Sequence, residues 1–309
     1  MSITLIRDVF QNLTTYDSWS LQLLQIKNSK RNGTTYFSRL ITLSPSDAIT
    51  KFVSDISENY CSNENGIDKK YESISEYDGS ANAKNIYKLS SENDLIANEY
   101  QELINTIANP DAEVDPLKFN AQASVIKGTI CLNGSNKSVK LVSMQNPVTS
   151  LRHKYFSLNG EFTEISDKVI SLRTTIDVVI LDKTVYLLTL AGEKLFNMER
   201  AYKSVCQNKI AIILNANIVN NSDLFSKIAS SSHNPRKFIS FNESHLKMLN
   251  DADNRRKLSK KFKIPLDGDK FDVSKNGAAD KLVKLLCDRG MVDPFDETPM
   301  EVSSSKKWE

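Results

Sequence analysis

The amino-acid sequence predicts an α+β protein with an antiparallel β-meander in the middle of the chain and helices packed on it. Short apolar runs between residues 119 and 190 are joined by the pairs Asn133-Gly134, Asn159-Gly160 and Asp182-Lys183. Such spacing is typical of consecutive β-hairpins. Strands and helices do not alternate regularly, which argues against a doubly wound parallel sheet. We therefore expect a smaller N-terminal α/β part, the meander, and a helical C-terminal part.

The composition is that of an ordinary globular protein. The chain has 309 residues, of which 40% are hydrophobic and 25% charged, and this length suits one large or two moderate domains. No apolar run approaches the ~20 residues of a membrane span. Arg7 and Asp8 interrupt the start where a secretory signal needs an unbroken apolar core. We expect a cytoplasmic protein whose four scattered cysteines are reduced.

The N-terminal part is predicted to begin with a hairpin and a helix. Two strands, Trp19–Lys27 and Thr34–Thr42, flank Asn32-Gly33, which favours a type I′ turn. Ser44 is placed to cap a helix with Pro45 at its first position and Asp47 in its first turn. The buried face of this helix has its apolar residues at helical spacing, namely Ile49, Phe52, Val53, Ile56 and Tyr60.

The segment that follows is polar, and its structure is left open between a mobile loop and a short strand around Tyr71–Tyr77. Residues 90–94 then provide capping side chains for a second helix, which Asn109-Pro110 ends. Its buried stripe contains Ile96, Tyr100, Leu103, Ile104 and Ile107. Acidic residues 111–115 predict a domain boundary, with an N-terminal region of residues 1–115 and a second region of residues 116–309.

The predicted strands of the middle region pair as hairpins. They are Gln122–Leu132, Ser138–Ser143, Lys154–Leu158, Glu161–Ile165, Ser171–Leu181 and Thr184–Leu190. Seven of the ten glycines follow Asn or Asp, so glycine here indicates turns more than a phosphate-binding loop.

Helices dominate the prediction after residue 190. Gly192 opens the first, with Leu195, Met198, Tyr202 and Val205 on one face, while Ile210–Leu214 fits either a strand or a buried helix. Four more helices are expected, with Gly290 just past the last and an extended tail from Asp293. They are Asp223–Ser230, Glu243–Asn250, Asp253–Phe262 and Ala278–Asp288.

Positive charge is concentrated in the second part of the chain. Residues 1–120 hold 11 Lys and Arg against 17 Asp and Glu, a net charge of −6, whereas residues 121–309 hold 29 against 21, a net charge of +8. Such a basic half suits polyanions. The candidate nucleic-acid-binding residues, expected to contact phosphates, are Arg236, Lys237, Arg255, Arg256, Lys257, Lys260, Lys261 and Lys263, with Lys281 and Lys284 further along. A solvated helix face explains the same residues equally well.

Catalytic patterns are weaker. There is no GxSxG motif, and His153 lies between Arg152 and Lys154, which disfavour its charged form. A metal-dependent nuclease needs two carboxylates on a metal with a lysine beside them, and only residues 68–70, residues 267–270 and Asp177 offer fragments of that set. We assign no catalytic residue, metal ligand or cofactor, and we leave enzymatic activity open.

Three stretches carry a family resemblance. They are the hairpin Ile176–Ile180 with Val185–Leu188, the segment Leu195–Glu199 with Tyr202, and Leu285–Met291. Their apolar and aromatic pattern resembles the KwaB family of Kiwa anti-phage defence subunits, mainly over the C-terminal two-thirds of the chain.

The resemblance implies a DNA-binding subunit of a bacterial defence system. It implies action beside a small membrane-embedded partner, the Kiwa A subunit, which could recruit the protein to the inner membrane, and it implies a homodimer or higher homo-oligomer. The resulting hypothesis is a non-enzymatic, sequence-independent duplex-binding protein. The alternatives are a metal-dependent nuclease effector and an interaction scaffold without nucleic-acid binding.

Overall fold

A computed structural model describes most of the chain. The described residues are 3–15, 18–29, 33–43, 47–62, 64, 66–111, 119–145, 148–150, 154–158, 161–165, 168–231, 234–275 and 277–302. The chain divides into two compact units. The first comprises Met1–Glu76 and Ala83–Asn197, and the second comprises Tyr77–Asn82 and Met198–Glu309.

The first unit contains twelve named strands among its described residues. They are β1 (Ser20–Ser29), β2 (Gly33–Ile41), β3 (Ser73–Glu76), β4 (Asn85–Ser90), β5 (Ala123–Leu132), β6 (Ser135–Ser143), β7 (Val148–Ser150), β8 (Lys154–Leu158), β9 (Glu161–Ile165), β10 (Lys168–Ile170), β11 (Val178–Leu181) and β12 (Thr184–Leu187). Eight of them form one sheet in the order β2-β1-β5-β6-β11-β12-β4-β3. All neighbours are antiparallel except β3 and β4, so the α+β class is confirmed with a mixed sheet.

The predicted meander is the centre of this sheet, since β5, β6, β11 and β12 are successive antiparallel neighbours. Asn133 and Gly134 have φ values of 50° and 74°, which the β5–β6 turn needs at both central positions. Asp182 has φ 52° at the β11–β12 turn. The meander is interrupted, because β8 pairs with β9 and β7 with β10 in two separate small sheets. The predicted turn at residues 159–160 lies outside the described residues.

The first unit also contains four α-helices among its described residues, α1 (Thr4–Gln11), α2 (Ala48–Cys61), α3 (Ile67–Lys70) and α4 (Ala97–Ala108), and two 3₁₀ helices, Leu13–Thr15 and Leu190–Phe196. Helix α1 was not predicted from the sequence. Its Phe10 is fully buried and stacks on Tyr60 of α2 with ring centroids 4.0 Å apart. The apolar face predicted for α2 is confirmed, since Val53, Ile56 and Tyr60 are buried.

Several predicted boundaries shift because strand pairing overrides local signals. The polar segment contains α3, β3 and β4, so the short-strand alternative is confirmed, while β4 was not expected. The helix predicted to start at the capping side chains of residues 90–94 begins only at Ala97, because Ser90 pairs with Thr184 in the sheet. Strand β11 begins at Val178 and not at Ser171. Residues 44–46, which include the predicted cap Ser44, and Asn32 lie outside the described residues.

The division into compact units differs from the domain boundary predicted after residue 115. Strand β1 lies before that boundary and β5 after it, yet Ser20–Leu24 pair with Ala123–Lys127. One sheet therefore contains both regions, and the compact units part after Asn197. The composition identifies the acidic stretch at residues 111–115, but it carries no information about which strands pair.

The second unit is mainly helical. Its helices are α5 (Met198–Asn215), α6 (Ser222–Ala229), α7 (Glu243–Met248), α8 (Ala252–Phe262) and α9 (Ala278–Leu286), with a 3₁₀ helix at Pro235–Ser240, and its strands pair as β13 (Leu266–Asp267) with β14 (Lys270–Phe271) and β15 (Gly290–Val292) with β16 (Pro299–Glu301). Residues 210–214 are helical, with Ile210 and Ile213 buried, which decides the ambiguity in favour of a helix. Helices α6 to α9 confirm the prediction. The left-handed position after α9 is Asp288, with φ 53°, and Gly290 instead opens β15.

Candidate nucleic-acid interface

Helix α8 carries most of the predicted binding residues, and its position is fixed at both ends. The Asp251 side chain accepts a hydrogen bond from the Asp253 backbone N–H at 2.8 Å, which caps the N-terminus. Leu258 and Phe262 pack, partly buried, against the core of the second unit. Lys263 ends the helix in the left-handed conformation at φ 53°. These contacts leave Lys257, Lys260 and Lys261 of α8 exposed to solvent.

Four lysines at this end of α8 form what we call the lysine face: Lys257, Lys260, Lys261 and Lys263. All four are exposed, and none has an ion-pair partner within the described ranges. The first three lie at i, i+3 and i+4, so they project from one side of the helix. Lys260 and Lys261 also lie in the last turn, where cations complement the helix dipole.

Lys281 extends the lysine face from α9. Its Nζ donates a hydrogen bond to the Lys263 carbonyl oxygen at 3.2 Å, and the residue is exposed. Lys281 of α9 therefore lies next to the C-terminal end of α8.

The two arginines of α8 are engaged in protein contacts. Arg256 contacts Asp269 at 2.7 Å and Asp253 at 2.9 Å, and the hydrogen bond with Asp269 is the main reason that its pKa is raised. Arg255 donates to the Asp269 carbonyl oxygen and to the carbonyls of Leu249 and Asn250. The Arg255 side chain thus satisfies carbonyls that follow α7, and Arg256 is partly neutralised.

Arg236 and Lys237 are held inside the second unit. Arg236 Nε donates to the Tyr77 hydroxyl at 3.2 Å, and Nη2 donates to the Ser80 carbonyl at 2.9 Å. The guanidinium also lies 5.8 Å from the centre of the Tyr77 ring and 6.0 Å from that of Tyr202, and the two hydroxyls hydrogen-bond to each other. Arg236 therefore fixes the segment Tyr77–Asn82.

Lys237 belongs to an ion-pair network with Lys284 and two carboxylates. Its Nζ lies 3.5 Å from Asp280 and 3.6 Å from Glu301, and Lys284 contacts the same two residues at 2.7 and 2.9 Å. Burial alone would raise the pKa of Asp280, but Lys284 and Lys237 outweigh it and hold that pKa below its usual range. This network leaves Lys237 and Lys284 compensated.

The acidic residues considered for a nuclease do not converge. Asp177 is buried and accepts hydrogen bonds from the Met144 backbone N–H at 2.7 Å and from the Thr189 hydroxyl. Asp68 pairs with Arg7, and Asp269 pairs with Arg256. Within the described part of the chain no three His, Cys, Asp or Glu side chains are grouped to hold a metal ion. His153 lies outside that part.

The structure thus brings together part of the predicted set. Lys257, Lys260, Lys261 and Lys263 are all exposed on or directly after α8. The internal role of Arg236 had no local signal, because Tyr77 is 159 positions away in the sequence.

A comparison with protein-family models decides the family. Residues 139–292, about half of the chain, match the model described as Kiwa protein KwaB-like. The chain is a KwaB-like protein. The matched segment runs from β6 to β15, includes the lysine face, and confirms the resemblance seen in the sequence. Membership of the KwaB-like family makes the protein a component of Kiwa anti-phage defence. No curated protein and no solved structure matches the chain.

This KwaB-like protein has no helix, over the residues described, that is long and apolar enough to cross a membrane.

Proposed function

We propose that this KwaB-like protein binds duplex DNA, without reading its sequence, through the lysine face. The observation that carries the proposal is the set of four exposed ammonium groups on one end of α8 that lack ion-pair partners in the described structure. A lysine is a flexible point charge that contacts phosphate without distinguishing bases. Residues 252–263 hold six Lys and Arg against one Asp, a net charge of +5.

Among the predicted nucleic-acid-binding residues, those of the lysine face have the main role in the proposed DNA binding. Arg236, Lys237 and Arg255 already bind groups of the protein, and moving them to a phosphate would break those contacts. Arg256 is half exposed and keeps two carboxylate partners, so its contribution to DNA affinity is expected to be small. Lys281 adds a fifth cation at the edge of the lysine face.

In the defence system, we propose that this binding is non-catalytic and that the protein acts with the small membrane-embedded A subunit. The family resemblance supports this assignment. It also supports localisation in the cytoplasm and self-association, which are part of the proposal. Incubation with plasmid and Mg²⁺ or Mn²⁺ tests the nuclease alternative, since the proposal expects intact plasmid. Retention of a partner in nuclease-treated lysate, without affinity for duplex DNA, would instead favour an interaction scaffold.

The proposal is tested with a charge-removing variant in which Lys257, Lys260, Lys261 and Lys263 are changed to Gln. Binding to two fluorescent duplexes of unrelated sequence is measured by anisotropy. The wild type should bind both equally, and the variant should lose at least about tenfold in affinity for each, because phosphate neutralisation supplies most non-specific affinity.

A matched control removes the same charge elsewhere. Lys51, Lys69, Lys183 and Lys194 of the first unit are exposed, so changing these four to Gln alters the net charge equally. The control should retain wild-type affinity. Equal affinity losses in both variants would refute the lysine face and leave only overall charge as the cause.

A further inference from the structure

The C-terminal hairpin, residues 290–302, carries an unusual share of exposed apolar side chains. Six large hydrophobic residues are exposed among the described residues, and three of them, Met291, Phe295 and Met300, lie on this hairpin. Phe295 is 96% exposed. Met291 and Met300 are directly opposite in the β15–β16 register, so they share one face. Three exposed apolar side chains on one short hairpin make it a candidate interaction surface.

The loop that presents Phe295 is held by its own hydrogen bonds. The Asp293 side chain accepts from the Phe295 backbone N–H, and the Asp296 side chain accepts from the Thr298 backbone N–H, both at 2.8 Å. The backbone closes with Asp293 N–H donating to the Thr298 carbonyl at 2.9 Å. An ordered backbone lowers the entropic cost of inserting the phenyl ring into a partner.

All charged side chains of this hairpin are acidic. Residues 290–302 contain Asp293, Asp296, Glu297 and Glu301 and no Lys or Arg, a net charge of −4. Glu301 pairs with Lys284 and Lys237, whereas Asp296 and Glu297 at the tip are exposed. An acidic tip with a central aromatic side chain fits an apolar pocket bordered by cations, and it disfavours contact with DNA phosphates.

A pocket with these properties lies in the same unit. A cavity of about 140 Å³ is lined by Phe262, Leu285, Pro299 and Met300, with Lys281, Lys284, Gly290 and Glu301 as its other residues. Because Glu301 pairs with Lys284, Lys281 is the lining cation without an ion-pair partner among the described residues. A cavity of roughly 150 Å³ with apolar walls holds a benzene molecule, so a phenyl ring fits in size. Lys281 joins this pocket to the lysine face through the Lys263 carbonyl.

We propose that Phe295 of one copy inserts into this pocket of a second copy, with Asp296 and Glu297 facing Lys281 and Lys263 of that copy. Strand β16 lines the pocket and the β15–β16 loop carries Phe295. Two copies related by a two-fold axis can therefore each insert Phe295 into the pocket of the other, as in an isologous dimer. The high exposure of Phe295 means that a chain does not fill its own pocket. The inference rests on the proposed self-association and not on DNA binding, although the two contacts would compete for Lys263 and Lys281.

The first test is self-association of the full chain without nucleic acid, measured by sedimentation equilibrium. Phe295→Ser should weaken the dimer at least about tenfold, which corresponds to roughly 1.4 kcal/mol, while Met248→Ser, a change at another exposed apolar side chain of the unit (55%), should have no effect. Because Phe295 contacts solvent, folding is preserved, as circular dichroism should show. A wild type that is monomeric at every concentration, or a dimer unaffected by Phe295→Ser, overturns the proposal.

A charge exchange gives a second, independent test. A tip variant, Asp296→Lys with Glu297→Lys, and a pocket variant, Lys263→Glu with Lys281→Glu, should each fail to dimerise because like charges face each other. Mixed together, they should form a heterodimer, since both of its contacts again pair opposite charges. Failure of the mixture to associate, with both variants folded, would rule out this contact even if the wild type dimerises and binds DNA.

Discussion

Replacing Arg236 by Met should loosen the segment Tyr77–Asn82 without weakening DNA binding. Methionine keeps much of the apolar length of arginine but removes the charge and the donors. The change breaks the hydrogen bonds from the guanidinium to the Tyr77 hydroxyl and to the Ser80 carbonyl. The sequence placed Arg236 among the DNA-binding residues, so this variant separates an internal role from a phosphate-binding role.

The expected cost follows from those contacts. Hydrogen bonds from a charged donor contribute ~1.5–3 kcal/mol each, and the two ring contacts, near the distance limit, add about 0.5 kcal/mol. The Tyr77 hydroxyl keeps its hydrogen bond with Tyr202, which reduces the loss. We therefore expect a local destabilisation of about 3 kcal/mol, equivalent to roughly hundredfold faster hydrogen exchange through local opening.

Hydrogen exchange with mass spectrometry measures this effect on peptides that cover residues 77–82, and peptides of β5 and β6 provide an internal reference. Gly79→Ala perturbs the same contact from the other side, because Gly79 has φ +76° and an added Cβ would lie 2.3 Å from the Arg236 carbonyl oxygen. Both variants should increase exchange in this segment. Unchanged exchange in Arg236→Met, accompanied by a loss of DNA affinity, would refute the internal role.

Two further predictions concern stability. Gly128→Ala should lower the free energy of unfolding by about 1–3 kcal/mol through overpacking, because the added Cβ would lie 2.4 Å from the Trp19 ring. Urea denaturation followed by tryptophan fluorescence measures this change, and a midpoint within error of wild type would contradict it. Asp280 has a lowered pKa in the folded state, so its stabilising contribution is complete above the unfolded pKa of about 3.9 and is lost as the pH falls through the lower folded value. Asp280→Asn should therefore reduce the loss of stability below that pH, measured as hydrogen exchange of α9 over an acid series, and an unchanged acid dependence would contradict the ion-pair network.

Local chemistry made much of the second unit predictable. Asn221, Asn242 and Asp251 each accept a hydrogen bond from a backbone N–H of the following helix, and these local contacts support the helices that the sequence predicts there. The β5–β6 hairpin was predictable for the same reason, since Asn133-Gly134 specifies its turn. Strand β4 was not predictable, because its residues become a strand by pairing with β12, almost 100 residues further along the chain.

The candidate nucleic-acid interface was likewise predictable only in part. The basic run of α8 and its inward Leu258 and Phe262 follow from helical periodicity, so the exposure of the lysines could be predicted. Which cations are already paired could not, because the partners of Arg236 and Lys237 come from distant segments: Tyr77, Ser80 and Glu301. Charge counting therefore does not separate cations with carboxylate or carbonyl partners in the protein from exposed cations without an ion pair among the described residues.

The dependence of DNA affinity on salt tests the lysine face most directly. Each phosphate neutralised by a lysine adds about −0.9 to the slope of log K against log salt concentration. Changing Lys257, Lys260, Lys261 and Lys263 to Gln should make the slope less steep by roughly 3 to 4, whereas the matched change of four first-unit lysines should leave it unaltered. An identical slope in the wild type and the lysine-face variant would contradict the account.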